Sequence, residues 1–228
     1  MPLEQLLEHL PPLVCALCLS AYWASVILLG FRLRRKIGKG PNSIPPDPVG
    51  LAMRVAWVPA IVLQMMHAWR ITIGMHWPYP PGHEPAYVTT KAAIEALSWP
   101  VWLPLAGVAS LIVIVCLSLT FVCWRKMGKS WRIGIDRGEK LELVSSGPYR
   151  FVRHPIYALR ILLDACAIIA IPTAFMAVVS GVDMLMLAIE ARREERYMEA
   201  THGATYVDYQ RRVGRFVPRL FVPKAPSV

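Results

Sequence analysis

Basic and aromatic side chains cluster just before a long apolar stretch in the second half of the chain. The segment SSGPYRFVRHPIYALR (145–160) places Arg153 and His154 directly before Pro155. Three carboxylates stand at the far end of the apolar stretch: Glu190, Glu194 and Glu195. Guanidinium, imidazole and carboxylate groups brought together could line a polar binding pocket, or could form salt bridges that only anchor the chain.

The elements that must position these groups are apolar helices. The chain has 228 residues, 55% of them hydrophobic, and a mean hydropathy of +0.42, which is too apolar for an ordinary soluble domain. The apolar runs are Leu13–Phe31, Val55–Ile73, Trp99–Trp124 and Ile156–Ile189, the last broken near Pro172. A spanning helix needs about 20 residues, so the sequence predicts an all-α membrane bundle of about five transmembrane helices, the last two forming a hairpin.

The hairpin explains why the two polar groups belong together. Its first helix leaves one side of the membrane and its second returns to that side, so both ends must meet. Packed helix axes lie about 8 to 10 Å apart, which brings Arg153 and His154 opposite the three glutamates. The sequence therefore predicts a polar pocket at the membrane surface.

Lys and Arg are unevenly distributed between the spans. Residues 32–54 contain six, residues 74–98 one, residues 125–160 nine and residues 192–228 eight. The positive-inside rule then predicts an N-terminus outside and a C-terminus in the cytoplasm. Because these charges flank the spans, the net charge of +10 favours contact with lipid headgroups, not nucleic acid. The first ten residues lack a positive n-region, so we expect the first span to be retained.

Neither a disulfide nor a metal site is predicted. All five cysteines fall within apolar spans, where small packing side chains are expected: Cys15, Cys18, Cys116, Cys123 and Cys166. The predicted outside loop GMHWPYPPGHEPAYVTT (74–90) contains three possible ligands: His76, His83 and Glu84. They could form a metal site, but the four prolines and the aromatic residues of this segment favour a loop with interfacial anchors.

The order of motifs resembles a family. LVSSGPYRFVRHPIY (143–157), followed after the hairpin by REERYMEATHGATYVDYQRRVGRFVP (193–218), is similar to the integral-membrane methyltransferases that include isoprenylcysteine carboxyl methyltransferases and phospholipid methyltransferases. The resemblance covers roughly 128–220, and GKSWRIGID (128–136) is more like bacterial members, which implies a bacterial inner membrane. It divides the chain into N-terminal helices 1–3 (1–127) and a methyltransferase core (128–228).

The resemblance implies S-adenosylmethionine as cofactor, held in a cytoplasmic pocket built from the hairpin and the C-terminal helices. Its carboxylate would pair with Arg153, its ammonium with Glu194, and its adenine would stack on a tyrosine. Arg153, Glu190 and Glu194 are the implied catalytic residues. The implied cofactor contacts are Leu141, Glu142, Leu143, Val144, Tyr149, Arg153, His154, Pro155, Ile156, Tyr157 and Glu194.

The methyl acceptor stays open. The prenylcysteine enzymes have an arginine associated with the acceptor carboxylate where this chain has Glu190, which would repel a carboxylate. Arg192 or Arg193 could replace that arginine, so a prenylated carboxylate, an amine-bearing lipid and another small lipophile are all possible acceptors. The rival functions are an NADPH-dependent sterol-type reductase and a non-enzymatic lipid-binding membrane protein. The sequence predicts no oligomeric state.

Two aspartates lie inside the predicted hairpin, where acidic residues are costly and usually face a partner or a cavity. Asp164 follows Arg160 by one helical turn, so we expect an ion pair within the helix. Asp183 has no such local partner. It is the better candidate for lining a tunnel for the acceptor.

Overall fold

A computed structural model describes residues 3–38, 48–73, 99–133 and 142–219. Regular structure in these ranges is helical, which confirms the predicted all-α class. The predicted outside loop with His76, His83 and Glu84, and Leu141 of the predicted cofactor site, lie outside the described residues. The α-helices are α1 (Leu3–Ile37), α2 (Pro48–Thr72), α3 (Trp99–Met127), α4 (Pro155–Ala170), α5 (Ala174–His202) and α6 (Ala204–Arg212).

Four described helices are long and apolar enough to cross a membrane. The candidate spans are His9–Lys36, Pro48–Thr72, Val101–Met127 and Ala174–His202. The fifth predicted span corresponds to α4, whose 16 residues make a helix only about 24 Å long. This is shorter than the hydrocarbon core of a typical bilayer, about 30 Å, so four of the five predicted spans are supported.

Helices α4 and α5 form the predicted hairpin, and its turn lies at Pro172 as expected. Thr173 caps α5 because its side-chain oxygen accepts a hydrogen bond from the Met176 backbone N–H at 3.1 Å. The same oxygen lies 2.8 Å from Nε2 of His67 on α2. One threonine thus starts α5 and fixes the hairpin turn against a neighbouring helix.

The core at the centre of the bundle is built largely from small side chains, which allow helix backbones to approach closely. It draws on α1 to α5, and its buried members include Cys15, Ala16, Ala109, Cys116, Cys166, Ala167 and Ala170. All five cysteines are buried free thiols, which confirms their predicted packing role. Large apolar side chains such as Val58 and Leu111 are exposed instead, as expected for a surface covered by lipid.

The C-terminal segment folds back onto the residues that precede α4. Helix α5 ends at His202 and is followed by Gly203, whose positive φ of 55° suits glycine. The Tyr209 hydroxyl on α6 donates to the Tyr149 carbonyl at 2.5 Å. The Arg153 backbone N–H donates to the Gly214 carbonyl at 2.8 Å. These two hydrogen bonds hold the segment before α4 against the segment that follows α5.

Candidate functional site

A cavity of about 230 Å³ lies between the helices, and all six α-helices contribute to its wall. Every predicted site residue that the structure describes belongs to this wall. These residues are Glu142, Leu143, Val144, Tyr149, Arg153, His154, Pro155, Ile156, Tyr157, Glu190 and Glu194. We call the part beside His154 the histidine end and the part beside Arg160, one to two turns further along α4, the arginine end.

Glu195 holds the base of the hairpin together. Its Oε1 accepts from Arg153 Nε at 2.9 Å, and its Oε2 accepts from Arg215 Nη2 at 2.6 Å. His154 Nε2 lies 3.3 Å from the same carboxylate. The predicted meeting of Arg153 and His154 with the glutamates is therefore confirmed, and Glu195 is the glutamate at its centre. Glu190 does not take part and pairs with Arg193 at 2.7 Å.

Arg153 uses all three side-chain nitrogens within the chain. Nε and Nη2 contact Glu195, and Nη1 donates to the backbone carbonyls of Gln210 and Val213. Its side chain is 7% exposed. Arg153 therefore joins α4, α5 and the segment after α6, and its predicted pairing with a cofactor carboxylate stays a prediction.

Glu194 differs from its neighbour because its side chain is 25% exposed, against 5% for Glu195. It accepts a hydrogen bond from the Tyr157 hydroxyl at 2.5 Å, and one of its oxygens lies 3.5 Å from His154 Nδ1. The rings of His154 and Tyr157 stack with centroids 5.5 Å apart. Glu194 is thus an oriented carboxylate that can still reach a ligand in the cavity.

His154 lies between two carboxylates. Burial alone would lower the pKa of this imidazole, but hydrogen bonds and charge from Glu194 and Glu195 outweigh burial and raise the pKa above its ordinary value. The environment therefore favours the imidazolium form. A protonated His154 places its charge between the two glutamates, with Nδ1 3.5 Å from Glu194 and Nε2 3.3 Å from Glu195.

Besides His154 Nε2, two further polar atoms at the histidine end are buried without a hydrogen-bond partner among the described residues. They are the Tyr149 hydroxyl and Nε2 of His202. Both residues line the cavity. Buried polar groups are nearly always hydrogen-bonded, so these two are candidates to bind polar atoms of a ligand. Tyr149 was among the predicted residues, whereas nothing in the sequence singled out His202.

The arginine end contains a buried ion cluster. Arg160 lies 3.2 Å from Asp164 on its own helix, which confirms the predicted pair, and 2.7 Å from Asp183 on α5. Asp183 lines the cavity, and its partner comes from the other helix of the hairpin, because the sequence offers it none within one turn of its own helix. The long Arg160 side chain crosses to the neighbouring helix of the hairpin, a contact that spacing along one helix does not show.

Helices α1 and α2, for which no family resemblance was recognised, complete the arginine end. Tyr22 and Trp23 on α1 and Trp57 on α2 line it. The Trp57 indole N–H donates to Asp183, and Gln64 Nε2 donates to Asp164 at 2.8 Å. These aromatic residues went unnoticed because tryptophan and tyrosine are common in any membrane helix.

One family model matches the chain. Residues 108–200 match the model of the "Isoprenylcysteine carboxyl methyltransferase (ICMT) family". The matched range begins within α3 and contains the segment before α4, all of α4, and α5 as far as residue 200, including both Glu194 and Glu195. No curated protein sequence matches the chain significantly. The match and the four apolar helices identify an integral membrane protein.

Proposed function

We propose that this protein is a methyltransferase of the isoprenylcysteine carboxyl methyltransferase type, whose family model matches residues 108–200, and that it transfers a methyl group from S-adenosylmethionine to a lipophilic acceptor in the membrane. The observation that carries the proposal is the cavity itself. Its histidine end is polar and is formed by the R-H-P-x-Y motif at residues 153–157 and by Glu194. Its arginine end is lined by aromatic residues that lie inside the candidate spans. A polar cofactor and an apolar acceptor could therefore meet within one enclosed space.

The histidine end suits the cofactor chemically. Glu194 offers a carboxylate to the ammonium group of the cofactor. Tyr149 and Tyr206 offer aromatic rings on which its adenine could stack. The Tyr149 hydroxyl and His202 Nε2, which have no hydrogen-bond partner in the described part of the chain, could bind further polar atoms. We propose that the cofactor contacts are Leu141, Glu142, Leu143, Val144, Tyr149, Arg153, His154, Pro155, Ile156, Tyr157 and Glu194, with Arg153 acting through the position of Glu195.

The protein's own contribution to methyl transfer is alignment and the exclusion of water. The bound cofactor would supply an electrophilic methyl group. Arg153 and Glu195 fix the base of the hairpin, so Tyr157 and Glu194 keep one geometry in the wall. Glu190, proposed to be catalytic with Arg153 and Glu194, is neutralised by Arg193, which leaves little net charge beside the reacting groups. Fixed reactants in a water-poor site account for most of the rate gain in a displacement of this kind.

The acceptor would enter from the bilayer. The aromatic residues of the arginine end lie within the candidate spans, which favours a lipophilic molecule over a water-soluble one. The distribution of Lys and Arg supports a C-terminus in the cytoplasm and an N-terminus outside. The likeness of GKSWRIGID (128–136) to bacterial members of the family supports a bacterial inner membrane. A reporter fused to the C-terminus should then be active only in the cytoplasm, and activity outside would refute this orientation.

The decisive experiment uses the purified full-length protein. It is incubated with methyl-labelled S-adenosylmethionine and membrane lipid extracts, and cofactor binding is measured separately by titration calorimetry. We expect saturable cofactor binding and label in a lipid-soluble product. Absence of cofactor binding, or thermal stabilisation by NADPH but not by S-adenosylmethionine, would reject the proposal in favour of a reductase.

A further inference from the structure

Two hydrogen-bond donors at the arginine end have no partner in the described ranges. They are Nη1 of Arg160 and Nε1 of Trp23, and both atoms are buried. The guanidinium carbon of Arg160 lies 5.5 Å from the Trp23 ring centroid and 5.1 Å from that of Tyr22. All three residues line the same cavity. Two neighbouring donors without acceptors, one on a side chain only 1% exposed, point to an acceptor atom that a ligand supplies.

The rest of the Arg160 guanidinium is held firmly. Nε donates to Asp183 Oδ2 at 2.7 Å, and Nη2 donates to Gln64 Oε1 at 2.6 Å. Asp164 Oδ1 lies 3.2 Å from Nη2. Since these contacts come from α2, α4 and α5, the direction of Nη1 is fixed before any ligand binds. Such preorganisation strengthens binding because no side chain has to be ordered.

The charges around Arg160 decide which head group fits. Two carboxylates, on Asp164 and Asp183, already face one guanidinium. A ligand carboxylate would be a third anion in a region of low dielectric, where the repulsion is strong. An ammonium group would present donors to donors, and both oxygens of Asp183, the carboxylate of this cluster that lines the cavity, already accept hydrogen bonds, from Trp57 and Arg160. Asp164 Oδ2 has no partner among the described residues, but Asp164 is not part of the cavity wall. An uncharged oxygen avoids both penalties.

We propose that the arginine end binds the uncharged oxygen of a lipophilic molecule, a hydroxyl or a carbonyl, through Nη1 of Arg160 and Nε1 of Trp23. The apolar part of this molecule lies along the wall formed by Tyr22, Trp57 and Leu187. The identification of this molecule as the methyl acceptor rests on the proposed function. The binding itself does not.

The test is a binding titration without cofactor. The purified full-length protein in phosphatidylcholine nanodiscs at pH 7.5 is titrated with 1-dodecanol, dodecanoate and dodecylamine, and tryptophan emission is recorded. We expect a saturable change with dodecanol at a half-saturating concentration about tenfold below that of either charged probe, the size expected for one or two hydrogen bonds. Equal or tighter binding of a charged probe would overturn the proposal.

A matched pair of variants isolates the indole donor. Trp23→Phe keeps an aromatic ring and removes an N–H that has no partner in the part of the chain described, so it should weaken dodecanol binding about three- to tenfold with little change in Tm. Trp69→Phe removes an N–H that donates to Ser20 Oγ at 2.9 Å, away from the cavity wall. It should lower Tm and leave dodecanol binding unchanged. Unchanged dodecanol binding in Trp23→Phe would refute the assigned contact.

The two proposals can fail separately. A protein that binds S-adenosylmethionine and methylates lipid but does not prefer dodecanol contradicts only the assignment of the arginine end. A protein that prefers dodecanol through Trp23 but binds no S-adenosylmethionine contradicts only the proposed function.

Discussion

Arg160 on α4 lies closer to Asp183 on α5, at 2.7 Å, than to Asp164 on its own helix, at 3.2 Å. The ion pair across the hairpin therefore holds α4 and α5 in register. It also fixes one wall of the cavity, because both Arg160 and Asp183 belong to it. A charge cluster that orders the fold thus also shapes the proposed acceptor site.

Asp183→Asn should destabilise the protein. The variant leaves Arg160 with Asp164 as its one remaining carboxylate and weakens a charged, fully buried hydrogen bond, so we expect a loss of about 1.5 to 3 kcal/mol in the free energy of unfolding. Asp208→Asn is the matched control because its pair with Arg212 is more than half exposed, and it should change the same quantity by less than about 0.5 kcal/mol. Denaturant unfolding in detergent micelles measures both. Equal losses of unfolding free energy in the two variants would mean that the Arg160–Asp183 pair stabilises the fold no more than an exposed pair does.

Arg153→Met should loosen the junction between the hairpin and the C-terminal segment. The buried guanidinium is lost from Glu195 and from the carbonyls of Gln210 and Val213, which we expect to cost about 2 to 4 kcal/mol. Limited proteolysis should then cut the chain after α6 faster than in the unmodified protein. Arg212→Met, an exposed change on α6, should leave the cleavage rate unaltered. If both variants were cleaved at the same rate, Arg153 would not hold the C-terminal segment against the base of the hairpin.

The raised pKa of His154 predicts a dependence of stability on pH. Because the pKa in the folded protein lies above the ordinary value of about 6.5, protonation stabilises the folded state. This contribution is complete below about pH 6.5 and is lost as the pH rises through the folded value. The gap in apparent Tm between the unmodified protein and His154→Gln should therefore be wider at pH 6 than at pH 9. A gap independent of pH would show that His154 does not titrate in the folded state as described.

The predictable part of the site follows from chain order. Arg153 and His154 precede a helical hairpin and the glutamates follow it, so closure of the hairpin alone brings them together. The sequence could not predict which of Glu194 and Glu195 would be buried in the ion-pair cluster and which would face the cavity. Successive residues on a helix point about 100° apart, so the rotation of α5 about its axis decides which of the two glutamates faces the cavity. That rotation depends on packing against α2 and α4, and it buries Glu195 while leaving Glu194 at the cavity.

The unpredicted part of the site depends on contacts between distant helices. Trp23, Trp57 and Gln64 come from spans that are apolar on nearly every face, so periodicity does not tell which face turns inward. The five-span prediction also required a longer α4 than the structure shows. The break at Pro172 was predicted, but it leaves only 16 residues for α4, whereas α5 extends beyond the apolar run to His202.

Glu194 should be the main determinant of cofactor affinity at the histidine end. Its partly exposed carboxylate is oriented by the Tyr157 hydroxyl, and we expect it to accept from the ammonium group of S-adenosylmethionine. A charge-assisted hydrogen bond contributes about 1.5 to 3 kcal/mol. Glu194→Gln keeps the shape and an acceptor for Tyr157 but removes the charge, so affinity should fall by about one to two decades.

Glu199→Gln is the matched control for this change and is measured by the same titration calorimetry. Glu199 is exposed on the same helix, accepts from Gln210 Nε2 at 2.7 Å and is not part of the cavity wall, so its loss should leave cofactor affinity unchanged. If both variants bound the cofactor as tightly as the unmodified protein, Glu194 would not contact it. The two adjacent glutamates would then serve only to fasten the hairpin, Glu195 through Arg153 and Arg215 and Glu194 through Tyr157.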